Sequence, residues 1–538
     1  MKLAESWKLW AALGLGLSVG LANVAKPVHV DDTLYLEVAK QIVAHPLDPY
    51  GGILNWQQIP ERTYNVSISP PLLSYYFALI MLFAGENVII LHLSMIPWLL
   101  LATWAVFHLG ERWASAGLLT VLLVIGGPAV VVGMNLMLDV PLLACFCASV
   151  EFLARSLSGK SPPRILLASM AFASMGVAIK FPAVAIVPVF LVAAMTSRRW
   201  GPAFAALGPI AVLFGWQALS RAIYGTSQVD SGMTFLSKLQ TSLLPQTVER
   251  TLTMTAILAM TFPVWLAVPW HGRRTIGPAL LALGAAMTAF WLLRSAPMNR
   301  LPIVTPVCLV AMFLGTYSLA GILRPFRSWP SSSFDPRFFL GTWIVSGAAV
   351  VILFGPFVAV RSFLPIQPPL AIWLIGSVAA EHRRRIALSA TAVVTLTLSA
   401  FLALADWHWA KYYEVIAQAI ASQSFGPGKP TVMFAGHWGW QYYAERAGFK
   451  AWDARRLDSP PGTIVIVPLR ADKQFIHPVV LSRAQRISEF EVPHGPLSFT
   501  TWNREAGFRF YGGDFGQIPW GFSGELTERF TIYRLGTP

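Results

Sequence analysis

What most limits the folds open to this chain is the recurrence of apolar runs of about 16 to 22 residues, each close to the roughly 20 that carry a helix across a bilayer. They fall at 1–25, 88–108, 115–133, 136–157, 164–179, 182–196, 202–223, 251–270, 276–293, 301–319, 338–358, 364–379 and 386–405. Lipid offers a backbone no hydrogen-bond partner, so such runs become helices. The pattern predicts a polytopic α-helical membrane protein of about thirteen spans. The first run follows Lys2 and Lys8 and has the outline of a signal peptide; with so many spans behind it, it reads as a retained span. Composition agrees: 55% of the 538 residues are hydrophobic and 12% charged, with mean hydropathy +0.57. A soluble domain carries about 25% charged residues.

A net charge of +14 would suit a nucleic-acid binder, but the Lys and Arg excess sits in short turns between apolar runs, where it orients a membrane protein. With the N-terminus inside, the cytoplasmic turns hold Arg112, then Arg155, Lys160 and Arg164, then Arg198 and Arg199. Arg273 and Arg274, then Arg324, Arg327 and Arg337, then Arg383, Arg384 and Arg385 continue the series. This register holds only if the short apolar stretch 70–84 does not cross. It therefore reads as an interfacial or re-entrant helix closing an outer loop, 26–87.

The opposite rim collects the unusual polar residues. Asp31 and Asp32 follow the first span, Asp139 stands in NLMLDVPLL, Lys180 in AIKFPAV, Arg300 in RSAPMNRLP and Arg361 in VRSFLPIQPP. Ionisable groups at a membrane boundary are costly and mark function by default. Carboxylates facing cations on one rim describe a pocket for a phosphate-bearing substrate needing acid or base chemistry. Each residue also has a structural reading. Asp31 or Asp32 can cap the helix suggested by Leu34, Val38 and Ile42, Asp139 can cap the span near Pro141, Lys180 can snorkel to the interface, and the arginines can be flanking charges. Cys145, Cys147 and Cys308 lie inside apolar runs and give neither a disulfide framework nor a zinc spacing.

From Trp407 the polarity becomes ordinary. TVMFA at 431–435 and TIVIVP at 463–468 read as strands, with a helix from Trp438 to Gly448 between them. The stretch 407–538 is expected to be a soluble α/β domain outside the membrane, following a transmembrane domain at 1–406. It contains no nucleotide-binding loop, and the chain has no HExxH. The aromatic segment GHWGWQYYAERAGF, 436–449, suits either a sugar-stacking site or a packing seam.

The order of these segments, an acidic pair after the first span, YLEVAKQI, PPLLSYY, LMLDVPLL, a Lys-Phe-Pro turn and RSFLPIQPP, resembles the GT-C glycosyltransferases. More narrowly, it is similar to the bacterial group that includes protein O-mannosyltransferases and the lipid A aminoarabinose transferase. The resemblance covers about 1–405, and GHWGWQYY resembles the outer domain of some bacterial members. It implies a polyprenyl-phosphate sugar donor at the outer leaflet of the bacterial cytoplasmic membrane, a protein, lipid or glycan acceptor, and inversion at the anomeric carbon. It also implies Asp31 and Asp32 at the reaction centre, Asp139 as a second acidic position, and Lys180, Arg300 and Arg361 facing the donor phosphate. This chain departs from the pattern at Asp32, where Glu is common, at Ser69, where His is common, and at Ser362, where Tyr is common. No cofactor is required; a divalent cation, Mg²⁺ or Mn²⁺, stays open. A lipid-linked sugar phosphate is already activated, which fits the missing nucleotide loop. A secondary transporter is the alternative, but it would place its polar groups near the midplane, often in repeated halves.

Overall fold

The computed structural model describes residues 3–158, 162–230, 243–267, 277, 280, 284, 305–323, 336–355, 357–378, 382–425, 430–457, 459–472, 475–513 and 516–536. Among these, five helices are long and apolar enough to cross a membrane: Val88–Ala114, Asp139–Leu157, Gly201–Tyr224, Pro336–Phe354 and Ile386–Ala421. The helix Leu3–Ala22 corresponds to the first run. Shorter apolar helices lie at Leu72–Ala84, Pro163–Ile179, Phe181–Ser197 and Val307–Leu319. The expected run 276–293 lies almost wholly outside the described residues. The interfacial stretch becomes Leu72–Ala84, 13 residues, or about 20 Å of helix, short for a hydrocarbon core of about 30 Å.

The structure breaks some runs that looked continuous. The run 115–133 becomes two helices, Gly117–Val124 and Pro128–Val131. Pro128 offers no N–H to continue the ladder, and at this break Ser399 donates to the carbonyl of Gly126 at 2.7 Å. The run 364–379 shortens to Gln367–Val378 behind a 3₁₀ turn at Val360–Phe363.

Two antiparallel helices, Asp139–Leu157 and Pro163–Ile179, are clamped at mid-length. Ser149 and Ser169 each donate their hydroxyl to the other's carbonyl at 2.7 Å. Because they are similar in length, 19 and 17 residues, the start of the first meets the end of the second. At the far end Glu151, fully buried, receives Arg112 at 2.8 Å and Arg155 at 2.7 Å, the basic turn expected on the cytoplasmic side.

The last membrane helix does not stop at the compositional change. It runs from His382 to Ala421, 40 residues, or about 60 Å, about twice a hydrocarbon core of about 30 Å, and its second half joins the C-terminal domain, expected outside the membrane. That domain holds a five-stranded sheet in the order Lys450–Ala451, Val432–Phe434, Ile464–Pro468, Glu528–Leu535, Ala484–Val492. The first three strands are parallel and the last two antiparallel. The central Ile464–Pro468 is almost wholly buried, as a continuous apolar run with neighbours on both edges requires. The helix between the first strands spans Gly439–Arg446, and Gly448 ends it at φ 84°, the left-handed position that favours glycine.

Candidate active site

The helix expected from Leu34, Val38 and Ile42 forms over Asp32–Ala44 and buries all three. Asp31 occupies its N-cap position but makes no side-chain cap bond. Its carboxylate turns instead to Arg361, Oδ2 to Nη2 2.8 Å, both side chains partly open at 20% and 15%. The residue before it, Val30, has φ 45°, a conformation rare for a β-branched residue and costing about 1–3 kcal/mol unless its surroundings enforce it.

Asp139 likewise begins a helix without capping it. Its Oδ1 accepts from Lys180 Nζ at 2.6 Å, because Lys180 leaves the antiparallel helix just before the Phe181–Pro182 break in extended conformation. Snorkelling does not describe this lysine. The two ion pairs are neighbours: the Arg361 guanidinium lies in the field of both Asp31 and Asp139. Tyr35, one turn after Asp31, lies in the field of Asp31, Arg361 and Asp139. Four of the six residues singled out in the sequence, Asp31, Asp139, Lys180 and Arg361, thus come together on one rim. Arg300 lies outside the described residues.

Asp32 has a different environment. It is fully buried and accepts from the backbone N–H of His29 at 3.0 Å. Burial pushes its carboxyl up to about 8, against the opposing pull of that hydrogen bond. The acidic pair is therefore one accessible carboxylate and one enclosed, protonated acid.

Behind Asp32 stands a buried hub that sequence reasoning missed. Lys26, 1% exposed, reaches Asp406 at 2.7 Å and donates to the carbonyl of Val132 at 2.9 Å. Asp406 also accepts from Tyr511 at 2.6 Å and Thr501 at 3.0 Å, and the His29 ring lies 3.5 Å away. Burial lowers the basicity of His29 against the attraction of Asp406. The signal was an aspartate at the outer end of an apolar run, the same oddity that flagged Asp31. The aromatic segment 436–449 is a packing seam: Trp438, Trp440 and Tyr442 are buried, and Trp438 packs edge-on against Trp502 at 4.9 Å.

Among the described residues no group of three or more His, Cys, Asp or Glu side chains is placed to hold a metal ion. Asp31 and Asp139 each face a fixed cation instead, a donor set that does not fit a divalent ion.

Residues 69–219 match the family model described as dolichyl-phosphate-mannose-protein mannosyltransferase. The segment contains Asp139 and Lys180. Among curated protein sequences none matches this chain. The oligosaccharyltransferase of Archaeoglobus fulgidus in its apo form superposes with TM-score 0.50 at 12% identity, over 84% of this chain and 64% of that enzyme. This chain thus spans less than two thirds of the archaeal protein's length. ArnT of Cupriavidus metallidurans, crystallised with undecaprenyl phosphate, gives TM-score 0.43 at 14% identity over 86% of this chain and 93% of ArnT. The matched family segment and the shared fold agree with the resemblance read from the sequence: residues 69–219 are similar to that mannosyltransferase family, and the chain shares its fold with the archaeal oligosaccharyltransferase.

Proposed function

We propose that this chain moves a sugar from a polyprenyl-phosphate donor to an acceptor hydroxyl on protein, lipid or glycan, with inversion, at the outer face of a bacterial cytoplasmic membrane. The observation that carries the reading is the pair of ion pairs on one rim, Asp31–Arg361 and Asp139–Lys180. The donor class is supported by the description of the matched family, whose sugar comes from dolichyl-phosphate-mannose, a polyprenyl-phosphate sugar.

Asp31, the accessible carboxylate, takes the acceptor's proton as its oxygen attacks the anomeric carbon. The bond from that carbon to the phosphate oxygen breaks, and its electron pair leaves with the phosphate. A single displacement inverts the centre. The donor is a phosphodiester with one negative charge, and the departing polyprenyl phosphate gains a second. Arg361 and Lys180, with Arg300 as a third candidate, stabilise that added charge, an interaction stronger in the transition state than in the bound donor. Asp139 holds Lys180 in place, and Asp32, enclosed and neutral, supports the loop from within.

The test is to incubate the purified protein with a panel of polyprenyl-phosphate sugars, measure which are consumed, and assign the product anomer by NMR. Consumption of one donor with inverted product is the expected result. No consumption of any donor, beside flux of a solute through liposomes, would overturn the assignment in favour of transport.

A further inference from the structure

We propose that the outer domain and the outer half of the last helix are a positioning frame for Asp31, acting through the backbone on either side of it, with Gly439 and Asp406 as the main contacts. The inference rests on the role given to Asp31 above. The segment Lys26–Asp31 is non-helical, and two grips hold it in place. On one side, the outer-domain helix meets it without a gap: a Cβ on Gly439 would lie 2.3 Å from the carbonyl oxygen of Val28 and 3.2 Å from the Cα of His29. Beside that contact, Val28 donates its N–H to the hydroxyl of Tyr443 at 3.0 Å, and Thr33 donates to the carbonyl of Trp438 at 2.7 Å. On the other side, Asp406 on the last helix takes Lys26 and, through Tyr511 and Thr501, ties it to the C-terminal part of the outer domain.

Residues 26, 28, 29 and 33 are thus each held, while the side chain of Asp31 between them is left to Arg361. This over-determination explains how Val30 keeps φ 45°, since such a conformation persists only where its surroundings impose it. Trp438, the residue that meets Thr33, is itself at φ 65°. The frame therefore holds unusual backbone on both faces of the contact, next to the carboxylate assigned as base. A base works only within hydrogen-bond reach of the proton it takes, and a displacement of about 1 Å can cost on the order of 100-fold in rate.

The test compares two alanine variants in the full-length protein. Gly439→Ala drives a methyl into the Val28 carbonyl and must shift the loop. Gly448→Ala strains the same domain at φ 84° with nothing within 4 Å of the new methyl, and so controls for destabilisation alone. Gly439→Ala is expected to lower kcat on the order of 100-fold while KM for a polyprenyl-phosphate sugar holds. Hydrogen exchange at amides 28–35 should become about tenfold faster or more. Gly448→Ala should keep both kcat and exchange in that segment. Tyr443→Phe, which deletes only the hydroxyl that receives Val28, should move in the same direction as Gly439→Ala and replaces it if that variant does not fold. Wild-type exchange in both Gly439→Ala and Tyr443→Phe, or an equal loss of kcat in Gly448→Ala, would overturn the frame. Should the wild-type protein consume no donor at all, the assigned function falls, and the exchange measurement alone still decides whether the frame exists.

Discussion

Replacing each member of the acidic pair by its amide separates a base from a supporting acid. Asp31→Asn keeps the size of the side chain but removes the basicity that takes up a proton and the charge that meets Arg361 2.8 Å away. Positioned general bases contribute about 10²–10⁴-fold. At about 1.36 kcal/mol per tenfold, this is about 2.7–5.4 kcal/mol of barrier. Asp32→Asn should do far less. That side chain has no exposed surface, already carries a proton at neutral pH because burial pushes its carboxyl up to about 8, and needs only an acceptor oxygen for the His29 N–H, which the amide retains. Its expected loss is under about tenfold, below the range for a base. The assay is the initial rate of transfer from a labelled polyprenyl-phosphate sugar in nanodiscs, normalised to monodisperse protein. Equal losses in the two variants, or an Asp31→Asn protein keeping more than about a tenth of the rate, would refute the division of labour.

Two further outcomes follow from the buried groups. The folded protein keeps the Asp32 proton up to about pH 8, whereas an unfolded chain releases it near pH 4. Between those values the folded state holds a proton the unfolded state lacks, so this group's contribution to stability declines as pH rises. Asp32→Asn has no proton to lose, and its Tm in detergent should gain on the wild type between pH 5 and pH 8; a gap independent of pH would contradict the raised value. Lys26→Met leaves Asp406 without its ammonium partner in a fully buried hub, and should lower stability by about 3–5 kcal/mol. Adding Asp406→Asn should recover part of that loss in denaturant titration, and no recovery would show that the pair is not coupled.

Much of the rim was legible in the sequence because charge inside an apolar pattern is conspicuous. Asp139 stands near the start of one apolar run and Lys180 just past the end of the next, and an antiparallel hairpin of nearly equal helices brings those positions together. Arg361 could be assigned to the same face, but its pairing with Asp31 depends on the 3₁₀ turn at Val360–Phe363, inside a stretch that hydropathy reads as featureless. Tyr35 stood four residues from Asp31, the spacing at which helix positions share a face, yet its polar tip is lost among apolar neighbours in any hydropathy average. The difference between Asp31 and Asp32 was not legible. Two adjacent aspartates have one composition, and what separates them is a buried backbone at His29 and a guanidinium from more than 300 positions later.

The compositional change at Trp407 had a physical cause other than a domain boundary. Hydropathy falls there, but the helix ladder is closed within the segment and needs no partner from its surroundings, and His382–Ala421 continues without interruption. Near the end of its apolar stretch it carries Asp406, a side chain shared by the long helix, the loop 26–31 and the C-terminal domain. A rigid rod rooted in the helical bundle and buried at its tip in the sheet domain transmits the position of one to the other far better than a flexible linker would. The geometry at Asp31 is therefore set jointly by two regions whose compositions suggest independence. A substitution deep in the outer domain, far in sequence from both carboxylates, is then expected to act on catalysis through the backbone at Val28.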